Sequence, residues 1–261
     1  MISMVERAPD LVDNNLLRAL RAHDWAILGP RLEDWSAPTG TILHRPGDTV
    51  RYAFFPRGSS LISYLVELED GRAIETALVG REGAIGGIVS QGRLPAFSRA
   101  EVQRGGAFYR VDLHHLEEAK ARSLTLRYLF ARYADCLMAQ VFQSVACNAA
   151  HSIEQRTAKW LLAAAERTGT DDLALTQEQL AAMLGVGRSY LSRVIHDLRQ
   201  RGVIETGRGR IRVRDAGGLR SLACECNHAV SQHFDDVLKG VYPAEENGMM
   251  ATSGIAESVR G

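Results

Sequence analysis

Residues 176–198 carry the pattern that most restricts how this chain can fold. Thr176 is followed three residues later by Gln179, which is the spacing of a capping box and predicts that a helix begins here. Apolar residues continue at helical spacing up to Gly185, and a glycine there fits the left-handed conformation with which many helices end. We therefore predict a first short helix, a sharp turn at Val186-Gly187 and a second helix directly after it.

The second predicted helix has one apolar and one polar face. Its apolar residues recur at i, i+3, i+4 and i+7, the spacing of a core-facing stripe: Leu191, Val194, Ile195 and Leu198. The opposite face carries Arg188, Ser189, Ser192, Arg193 and His196. Two helices joined in this way are typical of a helix-turn-helix, whose second helix enters the DNA major groove, where arginine can pair with guanine. A plain helical hairpin with a solvated basic face is the alternative.

The segment after these helices predicts a wing. Two strand-like runs, residues 203–205 and 211–213, flank a basic, glycine-rich turn in which Arg208 and Arg210 would contact phosphates. Residues 188–214 contain eight arginines and two acids, 8 − 2 = +6, so the rest of a chain with 31 basic and 31 acidic residues sums to −6. This asymmetry favours a nucleic-acid face on an otherwise acidic protein.

Length and composition are those of a globular protein of roughly two domains, with 46% hydrophobic and 24% charged residues in 261. No apolar run approaches the ~18 residues of a membrane span, and Glu6 and Pro9 stand where a signal peptide would have its apolar core. We therefore expect a cytoplasmic protein with no membrane partner. Its four cysteines are too few for a disulfide scaffold, so we expect free thiols.

The first half of the chain changes character twice. Residues 14–34 read as short amphipathic helices, and residues 39–111 as short strands separated by turns, including a hairpin at Asp70-Gly71. The first strand of this hairpin is expected to place four residues on one of its faces, Ile62, Tyr64, Val66 and Leu68. The second strand is expected to do the same with Ile74, Thr76 and Leu78. Several such strands predict a small barrel or sandwich.

A long helical stretch is predicted from Leu113 to Asn148. It carries an apolar stripe at three-to-four-residue spacing, which we take as a candidate dimer interface: Phe130, Ala134, Leu137, Val141 and Val145. The alternative is that this stripe packs on its own domain. The domains expected from these patterns are 1–38 (N-terminal helices), 39–112 (sensor), 113–148 (dimerisation helix), 149–216 (winged helix), 217–243 (helical extension) and 244–261 (disordered tail).

Residues 15–216 resemble the CRP/FNR family of bacterial transcription regulators. The resemblance is carried by Pro46-Gly47-Asp48, Phe55-Pro56, Gly58, Asp70-Gly71, Gly80-Arg81-Glu82-Gly83 and the stretch from Leu180 to Val194. It implies an α+β fold with an N-terminal cyclic-nucleotide-binding-like β-roll, a long dimerisation helix and a C-terminal winged helix-turn-helix. It also implies a homodimer on a pseudo-palindromic double-stranded DNA operator, with RNA polymerase as a further candidate partner.

The resemblance places base reading on Arg188, Ser189 and Arg193. Gly187 stands where the family often has a serine, so the phosphate contact that the resemblance implies for that serine is not expected here. The full candidate DNA-binding set is Thr176, Gln177, Gly187, Arg188, Ser189, Tyr190, Ser192, Arg193, Arg208 and Arg210.

The predicted sensor departs from cyclic-nucleotide-binding members, which use a glutamate for the ribose and an arginine for the phosphate. Gly87 stands at the glutamate position, and Arg99, the nearest candidate arginine, is offset from the family spacing. The candidate effector residues are Gly86, Gly87, Ile88, Ser98 and Arg99, and the effector is unknown. Cyclic AMP is not expected, no cofactor is evident, and an iron-sulfur cluster is not expected because no cysteine precedes Cys136.

The remaining constellations are weaker. Cys224 and Cys226 with His228 and His233 invite a metal or redox interpretation, but they lack the usual spacing of tetrahedral sites, so no metal ligand is predicted. We expect these cysteines, like Cys136 and Cys147, to be packing residues, the C-terminal pair lying against the winged domain. No catalytic residues are evident, and the chain is not expected to be an enzyme. A small-molecule sensor acting mainly through protein contacts is the alternative to a DNA-binding regulator.

Overall fold

The computed structural model describes residues 12–88 and 94–239, which form an α+β fold. Their helices are α1 (Asn15–Arg18), α2 (Ala22–Leu28), α3 (Leu113–Arg122), α4 (Leu124–Ala150), α5 (Ile153–Thr168), α6 (Gln177–Leu184), α7 (Arg188–Gln200), α8 (Ala216–Leu222) and α9 (Cys226–Leu238). Their strands are β1 (Glu33–Ala37), β2 (Ile42–His44), β3 (Tyr52–Pro56), β4 (Leu61–Glu67), β5 (Ala73–Val79), β6 (Arg99–Arg104), β7 (Gly106–Asp112), β8 (Asp172–Leu173), β9 (Ile204–Gly207) and β10 (Arg210–Val213). The predicted tail, 244–261, lies outside the described residues.

The first seven strands form two antiparallel sheets that enclose a small core. One sheet has the order β1-β7-β3 and the other β2-β6-β4-β5. Phe54 and Phe108 from the first sheet pack with Ile62 and Val102 from the second, and all four are buried. This confirms the β-rich N-terminal domain that the turn spacing predicted.

The β4–β5 hairpin turns at Asp70-Gly71 as predicted, with Gly71 in the left-handed region at φ +82°. The alternation of apolar residues predicted one buried face for each strand, but both faces of β4 are covered. Leu61 and Leu65, on the face opposite Ile62, belong to the same apolar cluster as the C-terminal helices. Helices α5 and α6 therefore pack directly on the outer face of the β2-β6-β4-β5 sheet.

Polar side chains join the same two parts of the molecule. Arg167, in the last turn of α5, forms an ion pair with Glu82, just after β5, with 3.0 Å between Nε and Oε1. Trp160 Nε1 donates to Glu75 Oε1 at 2.7 Å. Because the Arg167 and Glu82 side chains are only 8% and 6% exposed, their charges depend on each other for solvation.

The predicted long helix is two helices, because Ser123 adopts an extended conformation at φ −135° and ends α3. The Ser123 hydroxyl then accepts a hydrogen bond from Leu126 N and caps α4, which continues for 27 residues. At 1.5 Å per residue this corresponds to about 40 Å. Within the described residues, no helix is both long and apolar enough to cross a membrane.

The C-terminal helix α9 packs against α4, and its Phe234 ring meets Tyr133 edge-on. Val230, Phe234 and Leu238 extend the core formed by α1–α4 and the sensor strands. Cys226, the first residue of α9, contacts Gln143 of α4 as well as His151 of the predicted winged domain, so this end of the chain also packs on the long helix.

Candidate nucleic-acid interface

Helices α6 and α7 and the turn between them form where the local pattern predicted. Gln179 N donates to the Thr176 hydroxyl at 3.1 Å, and Thr176 N donates to Gln179 Oε1 at 2.9 Å, which completes a capping box. Gly185 ends α6 in the left-handed conformation, at φ 70° and ψ 30°. A side chain at this position would also collide with Ile74 of β5 at 2.6 Å, so the glycine serves both the turn and the contact with the sensor sheet.

The faces of α7 separate as the sequence predicted. The apolar residues Leu191, Val194, Ile195 and Leu198 are buried in the cluster shared with α5, α6 and the wing. The opposite face is exposed and includes Arg188, Ser189, Tyr190, Ser192 and Arg193. Gly187 provides no side-chain cap, so the first backbone N–H groups of α7 have no partner from its side chain. Such a helix terminus is suited to an anionic group.

The cations on this face are held weakly or by an aromatic ring. The Arg188 guanidinium lies 3.9 Å from the Glu178 carboxylate, and the two side chains are 75% and 77% exposed. This ion pair therefore restrains the arginine little. The Arg193 guanidinium stands over the ring of Tyr190, 5.4 Å from its centroid. Both arginines therefore present their donors to solvent beside the open end of α7.

The wing is the predicted hairpin with a third strand that the sequence did not predict. Strands β9 and β10 pair from Ile204↔Val213 to Gly207↔Arg210, with Gly209 at φ +68° in the tip. Strand β8, before α6, pairs with the other edge of β10. Its two-residue length gives no period-2 signal, which is why the pattern missed it.

The two predicted wing cations differ in their surroundings. Arg210 donates to Asp172 Oδ2 at 3.3 Å, and Arg212 donates to the same oxygen at 3.0 Å. Arg208 is exposed at the tip, with no carboxylate within ion-pair distance among the residues that the structure describes. Arg208 is therefore the freer cation, whereas Arg210 is partly neutralised by Asp172.

The ten predicted DNA-binding residues all reach the surface of one part of the molecule. Nine of them are exposed, and Gln177, in the first turn of α6, is half-buried. The hydroxyl of Thr176 is already used in the capping box.

Comparison with known proteins agrees with this geometry. The family model described as a Crp-like helix-turn-helix domain matches residues 155–222. The transcriptional regulator SdrP of Thermus thermophilus is 28% identical over 197 residues, covering 70% of this chain and 94% of that protein. The structure of FixK2 from Bradyrhizobium japonicum matches with a TM-score of 0.63 and 18% identity, covering 74% of this chain and 98% of FixK2. The structure of a CRP-family regulator from Thermus thermophilus matches with a TM-score of 0.62 and 20% identity, covering 72% of this chain and 96% of that regulator.

Residues 155–222 form a Crp-like helix-turn-helix domain, and the chain as a whole is similar to CRP/FNR transcription regulators. The helix-turn-helix is the DNA-binding element of such regulators. The chain shares its fold, a β-rich N-terminal domain followed by the long α4 and the C-terminal helices, with the two solved structures.

Three of the five candidate effector residues line a cavity of about 210 Å³ between the sensor strands and α3. Gly86, Gly87 and Ser98 line it, together with His44 and Tyr64. Gly86 is required by its backbone, because its φ is +96° and a side chain would collide with the carbonyl oxygen of Tyr52. Burial lowers the pKa of His44, so its imidazole is neutral at pH 7.

The candidate phosphate arginine does not line this cavity. Arg99 pairs with Glu67 at 2.9 Å and with Glu101 at 3.2 Å, both on the sheet. Ile88 is buried and also lies outside the lining. Among the described lining residues there is no arginine or lysine, so these residues supply no fixed cation for a phosphate.

Most of the predicted dimer stripe on α4 does not lie on the exposed side of the helix. Phe130 is 1% exposed and packs on Phe55 in its own core, so it offers nothing to a partner. Ala134, Leu137 and Val141 are half-buried, and Val145 is exposed. For Phe130 the alternative interpretation, packing within its own domain, is correct.

The exposed surface of α4 carries a different heptad stripe, shifted by one residue over most of its length. Its members alternate by four and three residues, and all are exposed: Leu124, Tyr128, Ala131, Asp135, Met138, Phe142, Val145 and Ala149. Phe142 and Val145 are 64% and 66% exposed, which is unusual for such residues unless another surface covers them. We call this set the α4 stripe.

Proposed function

We propose that the regulator is a homodimer that binds a pseudo-palindromic operator sequence-specifically. The observation that carries this proposal is the exposed, uncapped N-terminal end of α7 with Arg188 and Arg193 beside it. A helix end of this kind can accept a DNA phosphate while its arginines reach the base edges in the major groove. The wing, with Arg208 free at its tip, would contact the adjacent backbone.

Base reading and phosphate binding are expected to separate by mutation. Arg188→Ala or Arg193→Ala should weaken operator binding by ~1–3 kcal/mol for each lost bidentate contact and relax the preference at one position in each half-site. Arg208→Ala should weaken binding to operator and random DNA alike and reduce the salt slope of log K by about 1. Fluorescence anisotropy over a range of salt concentrations, with operator and scrambled duplexes, measures both quantities.

Arg122→Ala is the matched control, because Arg122 is an exposed arginine at the end of α3, outside α7 and the wing. It should leave affinity and salt slope unchanged. If the α7 and wing variants lose operator and scrambled binding in equal proportion, α7 does not read bases. If all three arginines prove neutral, a sensor that acts through protein contacts becomes the better description.

The α4 stripe supports the homodimer. Its four-three alternation is the spacing at which two helices keep one seam in contact over several turns. Two copies of α7 in such a dimer would address half-sites about one helical turn apart, ~34 Å. Asp135 is the one charged member of the stripe, so the contact would be mainly apolar on both sides of it.

We further propose that cyclic AMP is not the effector, and we expect calorimetry with cyclic AMP or cyclic GMP to detect no binding at micromolar concentrations. A polar group that is buried without a hydrogen-bond partner costs ~1–3 kcal/mol, and Arg99 is already engaged by two carboxylates. DNA affinity should also be unchanged by either nucleotide. Micromolar binding that is lost in Arg99→Ala would contradict the proposal, and Arg51→Ala, an exposed arginine on the same domain, is the control.

A further inference from the structure

Four potential metal ligands meet where α4 ends. Cys147 and His151 come from the end of α4 and the link that follows it, Cys224 comes from the link between α8 and α9, and Cys226 is the first residue of α9. Their ligand atoms all lie within 4.8 Å of one another. The three cysteines are buried and His151 is half-buried. The sequence paired Cys224 and Cys226 with His228 and His233, but both of these histidines are exposed and outside the cluster.

Two distances between these atoms match the separations around a single tetrahedral ion. Zinc bonds of about 2.3 Å to sulfur and about 2.0–2.1 Å to nitrogen separate two thiolates by about 3.8 Å and a thiolate from an imidazole by about 3.5 Å. Cys147 Sγ and Cys224 Sγ are 3.6 Å apart, and Cys226 Sγ and His151 Nδ1 are 3.4 Å apart. A polynuclear iron-sulfur cluster would need its ligands further apart, because several iron and sulfide ions lie between them.

The surroundings favour thiolates over inert packing cysteines. Gln143 Nε2 donates to Cys226 Sγ at 3.1 Å, a contact that suits a negatively charged sulfur. Arg156 and Lys159, on the first turns of α5, lie close enough to interact electrostatically with the cysteine pair. Their charges offset the net negative charge that three thiolates would leave around a divalent ion.

We propose that Cys147, His151, Cys224 and Cys226 form a Cys₃His site for one zinc-class divalent ion. Three cysteines and one histidine are a ligand set used by structural zinc sites, which are closed and hold four protein ligands. One ion at this place joins the end of α4, the α4–α5 link and the start of α9. It therefore stabilises the junction at which the sensor and the DNA-binding helices meet.

The test uses the full chain, reduced and treated with a chelator, and Co²⁺ as the probe. Titration is expected to produce the thiolate-to-cobalt absorption and the visible bands of tetrahedral cobalt, saturating at one Co²⁺ per chain. Zn²⁺ should displace the signal and raise the midpoint of thermal unfolding, because an ion that binds only the folded chain stabilises it. Cys226→Ser and His151→Ala should each abolish Co²⁺ binding or weaken the affinity for Co²⁺ at least tenfold.

Cys136→Ala is the matched control, since Cys136 is a buried cysteine of the same helix outside the cluster. It should bind Co²⁺ like the unaltered chain. Circular dichroism checks that each variant is folded, and His151→Ala, at a half-buried position, keeps the test decisive if a cysteine variant unfolds. Equal cobalt spectra in His151→Ala, Cys226→Ser and the unaltered chain would overturn the proposal. So would an unaltered chain that binds neither ion and forms a Cys147–Cys224 disulfide in air, which requires the sulfurs to approach to about 2.05 Å.

Discussion

Replacing Glu82 with alanine is expected to lower the free energy of unfolding by about 3–5 kcal/mol, because it leaves the Arg167 guanidinium buried without its counter-charge. Glu82 also accepts a hydrogen bond from Gly80 N at 3.0 Å, so the loop after β5 loses an anchor at the same time. Urea unfolding at pH 7, followed by tryptophan fluorescence, measures the loss. The effect is large because the pair lies between the sensor sheet and α5, where water reaches neither group freely.

Two further variants test whether the loss of stability comes from burial of the Glu82–Arg167 pair rather than from the loss of a charge as such. Glu33→Ala breaks the Arg110–Glu33 pair, whose carboxylate is 54% exposed, and should cost only about 0–1 kcal/mol. The double substitution Glu82→Leu with Arg167→Met should recover most of the stability, because apolar side chains of similar volume need no solvation. A Glu82→Ala loss no larger than that of Glu33→Ala would show that the pair does not hold the two parts together.

Phe142→Glu is expected to convert the regulator to monomers and to abolish operator binding at concentrations where the unaltered dimer binds fully. In the proposed dimer each introduced carboxylate would face its own copy across an apolar seam, and two like charges there cannot both be solvated. Loss of the dimer also removes the second half-site contact, so affinity falls with it. Sedimentation velocity and DNA anisotropy on the same samples measure both effects.

Ala121→Glu adds the same charge to an exposed position on α3, outside the α4 stripe, and should leave the dimer intact. Met138→Glu should repeat the effect of Phe142→Glu one turn earlier along the seam. If both α4 variants sediment as dimers and bind the operator normally, the copies do not associate through this stripe.

The helix-turn-helix could be predicted from the sequence because its determinants are local. The capping box at Thr176 and Gln179, the left-handed Gly185 and the apolar period of α7 all act within one or two helical turns. Each would favour the same structure wherever the segment was placed. The wing followed for the same reason, because its strands are joined by a tip of two residues.

The surface of α4 could not be chosen from the sequence. Apolar residues occupy more than one face of this helix, so the Phe130–Val145 stripe and the α4 stripe both have three-to-four-residue spacing. The structure turns Phe130 and Tyr133 towards the sensor core and α9, and this leaves Phe142 and Val145 outside. A shift of one residue rotates a helix by about 100°, and only tertiary contacts fix that angle.

The sequence by itself determined the local elements, namely the hairpin at Asp70-Gly71, the helix pair and the wing. Tertiary structure alone decided which surfaces meet: the outer face of β4 on the DNA-side helices, Glu82 with Arg167, and Cys147 with Cys224, 77 residues apart. The local sequence around one residue of such a pair does not identify the other residue, because it determines only the backbone conformation of its own segment. Their contact depends on how whole elements bury their apolar faces, which is a property of the complete fold.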